Sequence, residues 1–305
     1  MLKVSVTFAL ALAAWGGQRD VAFGDKGPDV MRAQILLARA HFSCGQIDGS
    51  FGSNLQKALE AFQADRGLAV TGTVDDPSWA ALNADQAPLL IPYTITADDL
   101  KGPFVRLPGD MMQQAKLPFP GYASPLDELA ERFHSSPELL TELNPEVNFS
   151  AAGSQLQVPN VLTLPPGAEA ATVVVSKSES SARVIDAQGK LIAFYVATIG
   201  SSHDPLPIGD WNVSFVKTNP IFHYDPKLFW NAPAKDSEAD IQPGPRNPVG
   251  LVWIDLTKQH YGIHGTPDPS LIGHAFSHGC VRLTNWDALE LASMVKPGTP
   301  VILKE

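Results

Sequence analysis

Apolar residues recur at helical spacing in the first quarter of the chain. Four of them occupy positions i, i+3, i+4 and i+7 of one segment: Leu55, Ala58, Leu59 and Phe62. An earlier segment carries a similar set: Val30, Met31, Ile35 and Leu36. This spacing predicts two amphipathic helices. The segment 46–52 between them contains glycines that suit a tight turn. We therefore expect a small helical module over residues 20–84.

A second module with helical patterning is predicted over residues 92–160. Its apolar residues form two stripes: Leu126, Leu129, Ala130 and Phe133, then Leu139, Leu140 and Leu143. Pro145 ends the second helix, because a proline disfavours helical backbone at the residue before it. Proline-containing stretches at 87–92 and 162–170 are the predicted boundaries of this module.

The third module, residues 170–305, changes to short runs rich in β-branched residues. Strands are predicted over Thr172–Ser176, Arg183–Asp186, Leu191–Ile199, Trp211–Phe215, Gly250–Leu256, Tyr261–His264 and Val301–Lys304. A hairpin connection at 186–189 and one late helix, Trp286–Met294, complete the pattern. The module is expected to be a mostly antiparallel sandwich or barrel, and the whole chain a multidomain α+β protein.

The N-terminus predicts export. Lys3 precedes the apolar run 4–15, which contains the small-residue site Ala11-Leu12-Ala13. These features are typical of a secretory signal peptide, here residues 1–19, with a buried first helix as the alternative. The run is too short to favour a membrane span, and no second apolar stretch reaches that length, so the mature chain is expected to have no transmembrane segment.

Charge and cysteine content restrict the partners further. The formal net charge of −10 argues against a nucleic-acid partner, which favours a basic protein face. Cys44 and Cys280 are the two cysteines. Both are expected to be free thiols, Cys44 as a small buried residue.

Candidate chemistry concentrates in residues 263–283, IHGTPDPSLIGHAFSHGCVRL. A thiol is a strong nucleophile only as its thiolate, and an imidazole within hydrogen-bond reach removes the proton. His264 ends a predicted strand, whereas His278 is only two residues from Cys280 and is held at an awkward angle on a turn. We therefore assign Cys280 as the nucleophile and His264 as the base.

Other residues around Cys280 suit the same chemistry. Glycines at 265 and 279 allow close approach of the backbone, and the amides near Gly279 and Cys280 are candidates for an oxyanion hole. Arg282 is a candidate for orienting a carboxylate or holding the loop. Arg282 and Tyr261 are the candidate substrate-binding side chains.

Two other interpretations of this segment compete with catalysis. A structural interpretation makes the cysteine a core residue and the histidines satisfied polar groups. A zinc site would use His264, His274, His278 and Cys280, but neither a His-x-x-x-His helix nor a Cys-x-x-Cys loop is present. We predict no metal and no cofactor.

IHGT followed by SHGCVRL resembles the active-site signature of the YkuD-type L,D-transpeptidase family. ATIGSSHDPLPIGDW and IQPGPRNPVG resemble two further family segments, with Leu206 where threonine is usual. The resemblance implies that the Gly265 carbonyl orients the base, that His278 supports substrate or oxyanion, and that Ser277 shapes the site. It also implies attack by Cys280 on the L-centre amide of a peptidoglycan tetrapeptide stem, a thioester intermediate, and transfer to an amine.

The two N-terminal modules carry resemblances of their own. IDGSFGSNLQKALEAFQADRGLAVTGTVDDPSWAAL resembles the small helical peptidoglycan-binding domain. SPLDELAERFHSSPELLTELNPEVNFSAAGSQLQVPN is similar to the helix–helix–strand part of a LysM domain. This LysM-like module is either a glycan binder or a structural spacer.

The leading expectation is a periplasmic transpeptidase acting on stem peptides, with glycan strands bound by the N-terminal modules. A stem amine or the lysine of an envelope lipoprotein is the expected acceptor. One alternative is a carboxypeptidase or hydrolase that uses the same site with water. The other is a non-catalytic wall-binding protein.

Overall fold

The first module folds around three helices. The computed structural model describes residues 19–161 and 165–305, so most of the predicted signal peptide and linker residues 162–164 lie outside the described residues. The elements of this module are α1 (Pro28–Arg39), β1 (Phe42–Ser43), α2 (Ser53–Asp65) and α3 (Asp76–Leu82). The predicted helices are confirmed. The α2 stripe shares one buried core with Val30 and Leu36 of α1, whereas Met31 and Ile35 of α1 belong to a second apolar cluster.

The second module places helices between two paired strands. Its elements are β2 (Leu90–Thr94), α4 (Met111–Gln114), α5 (Pro125–Arg132), α6 (Pro137–Leu143) and β3 (Gln155–Pro159), with β2 and β3 antiparallel. Ser124 and Ser136 cap α5 and α6 by accepting hydrogen bonds from backbone amides. Helix α6 ends before Asn144-Pro145, as predicted. Strand β2 begins two residues before the predicted start of the module, because Leu90 and Ile91 pack into apolar clusters.

The third module is a β-sandwich with one long helix. Its elements are β4 (Thr172–Ser176), β5 (Ser181–Ile185), β6 (Leu191–Val196), β7 (Thr198–Ile199), β8 (Gly209–Thr218), β9 (Phe222–Tyr224), β10 (Ala239–Ile241), β11 (Val252–Leu256), β12 (Gly262–His264), β13 (Val281–Arg282), α7 (Asn285–Met294) and β14 (Pro300–Lys304). The main sheet has the order β1-β6-β5-β4-β14-β8-β11-β12-β13-β7. Its core includes residues from both halves of the sheet and from α7. The predicted mostly antiparallel sandwich is confirmed.

The two halves of this sheet are connected at two places, through β8 and through the β6–β7 segment. Strand β8 pairs with β14 through its first residues and with β11 through its later ones. Strands β6 and β7 are separated only by Ala197 and lie in opposite halves, so the predicted single strand Leu191–Ile199 is interrupted. The predicted strand Arg183–Asp186 lies instead at Ser181–Ile185. Strands β9 and β10 were not predicted, because this polar segment lacks a clear period of two.

The first module also contributes a strand to the sheet of the third. β1 pairs in parallel with β6, with Phe42 opposite Phe194 and their rings stacked 6.4 Å apart. A two-residue strand shows no period in sequence, so β1 was not predicted. Phe194, Val196 and Ile272 of the third module belong to the core of the first. The two modules therefore share one apolar interface.

The second module is attached to both of its neighbours. The amide of Ile47 donates to the carbonyl of His134 at 2.8 Å, and the amide of Ser136 donates to the carbonyl of Ile47 at 2.9 Å. The His134 ring stacks on Trp286 of α7, with centroids 4.7 Å apart. In the described part of the chain, no helix has the length and apolar character needed to cross a membrane.

Replacing Phe42 with alanine tests the shared interface. Phe42 is buried between the modules, so its truncation should lower the free energy of unfolding by about 3–5 kcal/mol in urea denaturation. The matched control is Phe215→Ala, at a side chain that is 49% exposed. The control should change stability by less than about 0.5 kcal/mol. Equal effects of the two substitutions would contradict the interface.

Candidate active site

The pairing of two parallel strands brings the segment that ends at His264 beside the segment that follows Cys280. In the β12–β13 pair, Ile263 lies opposite Val281 and His264 lies opposite Arg282. Cys280 immediately precedes β13. Paired residues of adjacent strands project to the same side, and so do residues two apart along one strand. His264 and Arg282 therefore share a face, and Cys280 lies two residues before Arg282 at the start of the neighbouring strand.

A tryptophan supports the imidazole from the strand on its other side. Trp253 of β11 pairs with His264, and their rings stack 5.4 Å apart at an interplanar angle of 21°. A Cβ at Gly262 would lie 2.6 Å from the Trp253 ring, so only glycine allows the indole to lie across β12. Trp253 was not predicted, although its alternation with buried Val252 and Ile254 places it on the opposite face from the core.

The histidine ring is buried and has one hydrogen-bond partner. His264 is 3% exposed, and its Nδ1 lies 2.7 Å from the carbonyl oxygen of Gly265. A carbonyl only accepts, so Nδ1 carries the proton and Nε2 keeps its lone pair. Burial and, to a smaller extent, the charge of Arg282 lower the pKa of His264 to about 3, against the opposing effect of the hydrogen bond to Gly265. The imidazole is therefore neutral at pH 7.

The thiol is also neutral in the resting protein. Burial raises the pKa of Cys280 above its ordinary value, while the Gly262 backbone and the charge of Arg282 act in the opposite direction. The sulfur lies 3.8 Å from the carbonyl oxygen of His260. A raised thiol pKa and a lowered imidazole pKa both oppose a preformed thiolate–imidazolium pair.

The turn before Cys280 is fixed by close contacts. The Ser277 hydroxyl donates to the carbonyl of Cys280 at 2.5 Å, and the Ser277 amide donates to the carbonyl of Gly200 at 3.3 Å. Gly279 has φ of +99°, and a Cβ there would lie 2.6 Å from the Tyr261 ring. Both the backbone conformation and the contact therefore require glycine. Tyr261 thus lies beside the turn that carries Cys280.

His278 faces a segment that was not recognised in the sequence. Its Nε2 lies 3.1 Å from Asn231 Oδ1, and its ring contacts Phe229 with centroids 5.0 Å apart. Phe229 and Asn231 come from the connection between β9 and β10. Within residues 19–161 and 165–305, His278 Nδ1 and Arg282 Nε are among the few buried side-chain polar atoms without a protein partner. Both atoms therefore lack a hydrogen bond within the protein.

The remaining candidate residues lie apart from this group. His274 Nε2 lies 3.4 Å from Asn54 Nδ2 of the first module, and Cys44 is buried in the core of that module. Cys44 and Cys280 are both free thiols, as predicted. Leu206 is buried in the core of the third module. Over the described residues, no group of three or more His, Cys, Asp or Glu side chains is arranged to hold a metal ion.

Comparisons with known proteins identify the family. Residues 170–303 match the L,D-transpeptidase catalytic domain (YkuD), and residues 26–82 match the family described as "Putative peptidoglycan binding domain". The protein named "Putative L,D-transpeptidase YkuD" of Bacillus licheniformis is 33% identical over 178 residues, which cover 58% of this chain and 91% of that protein. The chain therefore belongs to the L,D-transpeptidase family, and its third module is an L,D-transpeptidase catalytic domain.

Two further similar proteins cover different shares of the chain. The protein named "Probable L,D-transpeptidase YbiS" of Escherichia coli K12 is 29% identical over 187 residues, covering 59% of this chain and 60% of that protein. A solved L,D-transpeptidase structure from Xylanimonas cellulosilytica aligns over 94% of this chain and 98% of its own, with 16% identity and a TM-score of 0.41.

The pH dependence of thiol alkylation tests the charge state of the site. Because the pKa of Cys280 is raised, its reaction with iodoacetamide should accelerate throughout pH 6–9, without a fast plateau at low pH. The modified residue is identified by peptide mass spectrometry, and Cys280→Ser provides the blank. A rate that stays constant from pH 5 to 8 would instead indicate a preformed thiolate and contradict the neutral pair.

Proposed function

We propose that this protein is a peptidoglycan L,D-transpeptidase in which Cys280 is the nucleophile and His264 the general base. The parallel pairing of β12, which ends at His264, with β13, which begins directly after Cys280, supports this proposal. The donor is a tetrapeptide stem, and the reacting carbonyl is that of the L-centre before the terminal D-residue. The first module, which matches a peptidoglycan-binding family, keeps the chain near this substrate.

Acylation begins with transfer of one proton. As the sulfur attacks the carbonyl carbon, Nε2 of His264 accepts the thiol proton, so charge develops only while the S–C bond forms. The hydrogen bond from Nδ1 to Gly265 stabilises the imidazolium, and backbone amides near Gly279 and Cys280 receive the developing oxyanion. The C–N bond then breaks, and the imidazolium returns the proton to the departing D-amino acid. The product is a thioester on Cys280.

The second half transfers the acyl group. An acceptor amine attacks the thioester, Nε2 removes a proton from that amine, and the sulfur departs and is reprotonated by the same ring. The acceptor is a second stem or the lysine of an envelope lipoprotein. Water at the same position would yield a carboxypeptidase instead. Export to the periplasm by the N-terminal segment would place the enzyme with these substrates.

Two buried polar atoms support substrate orientation. Arg282 Nε is a donor without a protein partner, on the same face as His264, and suits a carboxylate of the stem. His278 Nδ1 is also unpaired, and its ring is held by Asn231 and Phe229. Ser277 and Tyr261 position the turn between these groups.

Substitution of the two central residues tests the proposed chemistry. With a tetrapeptide stem and an amine acceptor, Cys280→Ala should abolish release of the D-amino acid, and His264→Gln should slow it by about 10²–10⁴-fold. His223→Gln is the matched histidine control, because that side chain is 77% exposed and pairs with Asp240. Quantitative mass spectrometry follows the products. Release by Cys280→Ala at the wild-type rate would refute the mechanism, whereas no release by the wild-type protein would leave wall binding as the function.

The same reaction mixture discriminates between acceptors. Transpeptidation predicts a cross-linked product whose yield rises with the concentration of the added stem amine, while the trimmed tripeptide remains the minor product. A trimmed product that predominates at every amine concentration would identify the protein as a carboxypeptidase.

A further inference from the structure

Glu131 of the second module is buried against the third module. This α5 residue is 6% exposed, although it carries a carboxylate. Its Oε2 accepts a hydrogen bond from Arg246 at 2.7 Å, and its Oε1 accepts from Asn285 Nδ2 at 2.8 Å and from the Tyr122 hydroxyl at 3.3 Å. Both Arg246 and Asn285 belong to the third module. The carboxylate therefore joins the two modules through buried bonds.

Asn285 transmits this contact to the backbone beside the base. A Cβ on Gly265 would lie 2.1 Å from Asn285 Oδ1, so the amide is packed directly on the Gly265 Cα. The same oxygen accepts a hydrogen bond from the Leu251 amide at 3.0 Å, and Asn285 Nδ2 also donates to the Pro245 carbonyl at 3.1 Å. These bonds fix the side chain in one orientation, and the side chain in turn confines Gly265.

The confined peptide segment is the one that orients the imidazole. The carbonyl of Gly265 accepts from His264 Nδ1 at 2.7 Å. Two residues later, the carbonyl of Pro267 accepts from Arg246 at 2.7 Å. Glu131 therefore holds both groups that restrain segment 265–267: Asn285 on one side and Arg246 on the other.

We propose that Glu131 is a positioning residue for the catalytic base, acting through Asn285 and Gly265, so that the second module completes the active site. This inference rests on the proposed role of His264. The physical reason is that the two carboxylate oxygens of Glu131 accept separately from Arg246 and Asn285, whereas an amide has only one accepting oxygen. Glu131→Gln therefore leaves either Arg246 with Asp127 as its only acidic partner or Asn285 with only its Leu251 and Pro245 bonds. Segment 265–267 then loses its restraint, and the ring loses its fixed tautomer.

The tautomer of His264 is a direct readout of this coupling. In protein labelled with ¹⁵N-histidine, long-range ¹H–¹⁵N spectra report which ring nitrogen carries the proton, and the His264→Gln spectrum assigns the signal. The wild-type protein should show a single form protonated at Nδ1. Glu131→Gln keeps the side-chain volume but should give a mixture of tautomers and slow D-amino-acid release about tenfold or more, mainly through kcat.

Asp127→Asn is the matched control. Asp127 lies on the same helix and pairs with the same Arg246, at 2.5 Å, but it does not contact Asn285. This variant should keep the single tautomer and the wild-type kcat, even where it lowers the unfolding midpoint. Equal loss of the tautomer in both variants would show that the Arg246 ion pairs matter in general and would overturn the assigned route.

A second variant tests the same link if Glu131→Gln does not fold. Asn285→Ala removes the link between Glu131 and Gly265 and should reproduce the mixed tautomer. A single Nδ1-protonated form with wild-type kcat in any folded variant of Glu131 or Asn285 would overturn the proposal. Failure of the proposed function has a different result. The His264→Gln variant would then release the D-amino acid at the wild-type rate, whichever tautomer His264 has in the wild-type protein.

Discussion

The parallel pairing of β12 with β13 is the constraint on which the site depends. It joins two segments separated by a long loop and sets His264 opposite Arg282. Cys280 is the residue immediately before β13. A shift of this register by one residue would turn either the thiol or the imidazole to the opposite face. Two glycines beside these strands are required by close contacts. Glycine at 262 leaves space for the Trp253 ring, and glycine at 279 allows the turn into β13.

Electrostatics give the site a neutral resting state. Burial raises the pKa of Cys280 and lowers that of His264, and the positive charge of Arg282 favours the thiolate while disfavouring the imidazolium. A neutral pair needs no compensating counterion, which suits the buried ring of His264. In the proposed mechanism, the proton therefore moves during attack, when the substrate carbonyl receives the charge.

The sequence was most informative where chemistry and local pattern coincide. The helices of the first two modules and most strands of the third follow from apolar spacing, and the segment around Cys280 carries a family motif. The contacts between modules were not predictable in this way. Strand β1 is too short to show a period, and Trp253, Asn231 and Glu131 reach the site through pairings distant in sequence. Glu131 lies in an ordinary amphipathic helix, and only the folded arrangement sets it against Asn285.

Both N-terminal modules thus form part of the structure around the third module. The first shares an apolar core with the third, and the second places a carboxylate beneath the segment that orients the imidazole. In the proposed mechanism, the donor stem acylates the sulfur of Cys280. Rapid acid quenching during turnover, followed by peptide mapping with mass spectrometry, would detect this intermediate. We expect a tripeptide acyl group on the peptide containing Cys280; an acyl group on another residue, or turnover without any covalent adduct, would refute the mechanism.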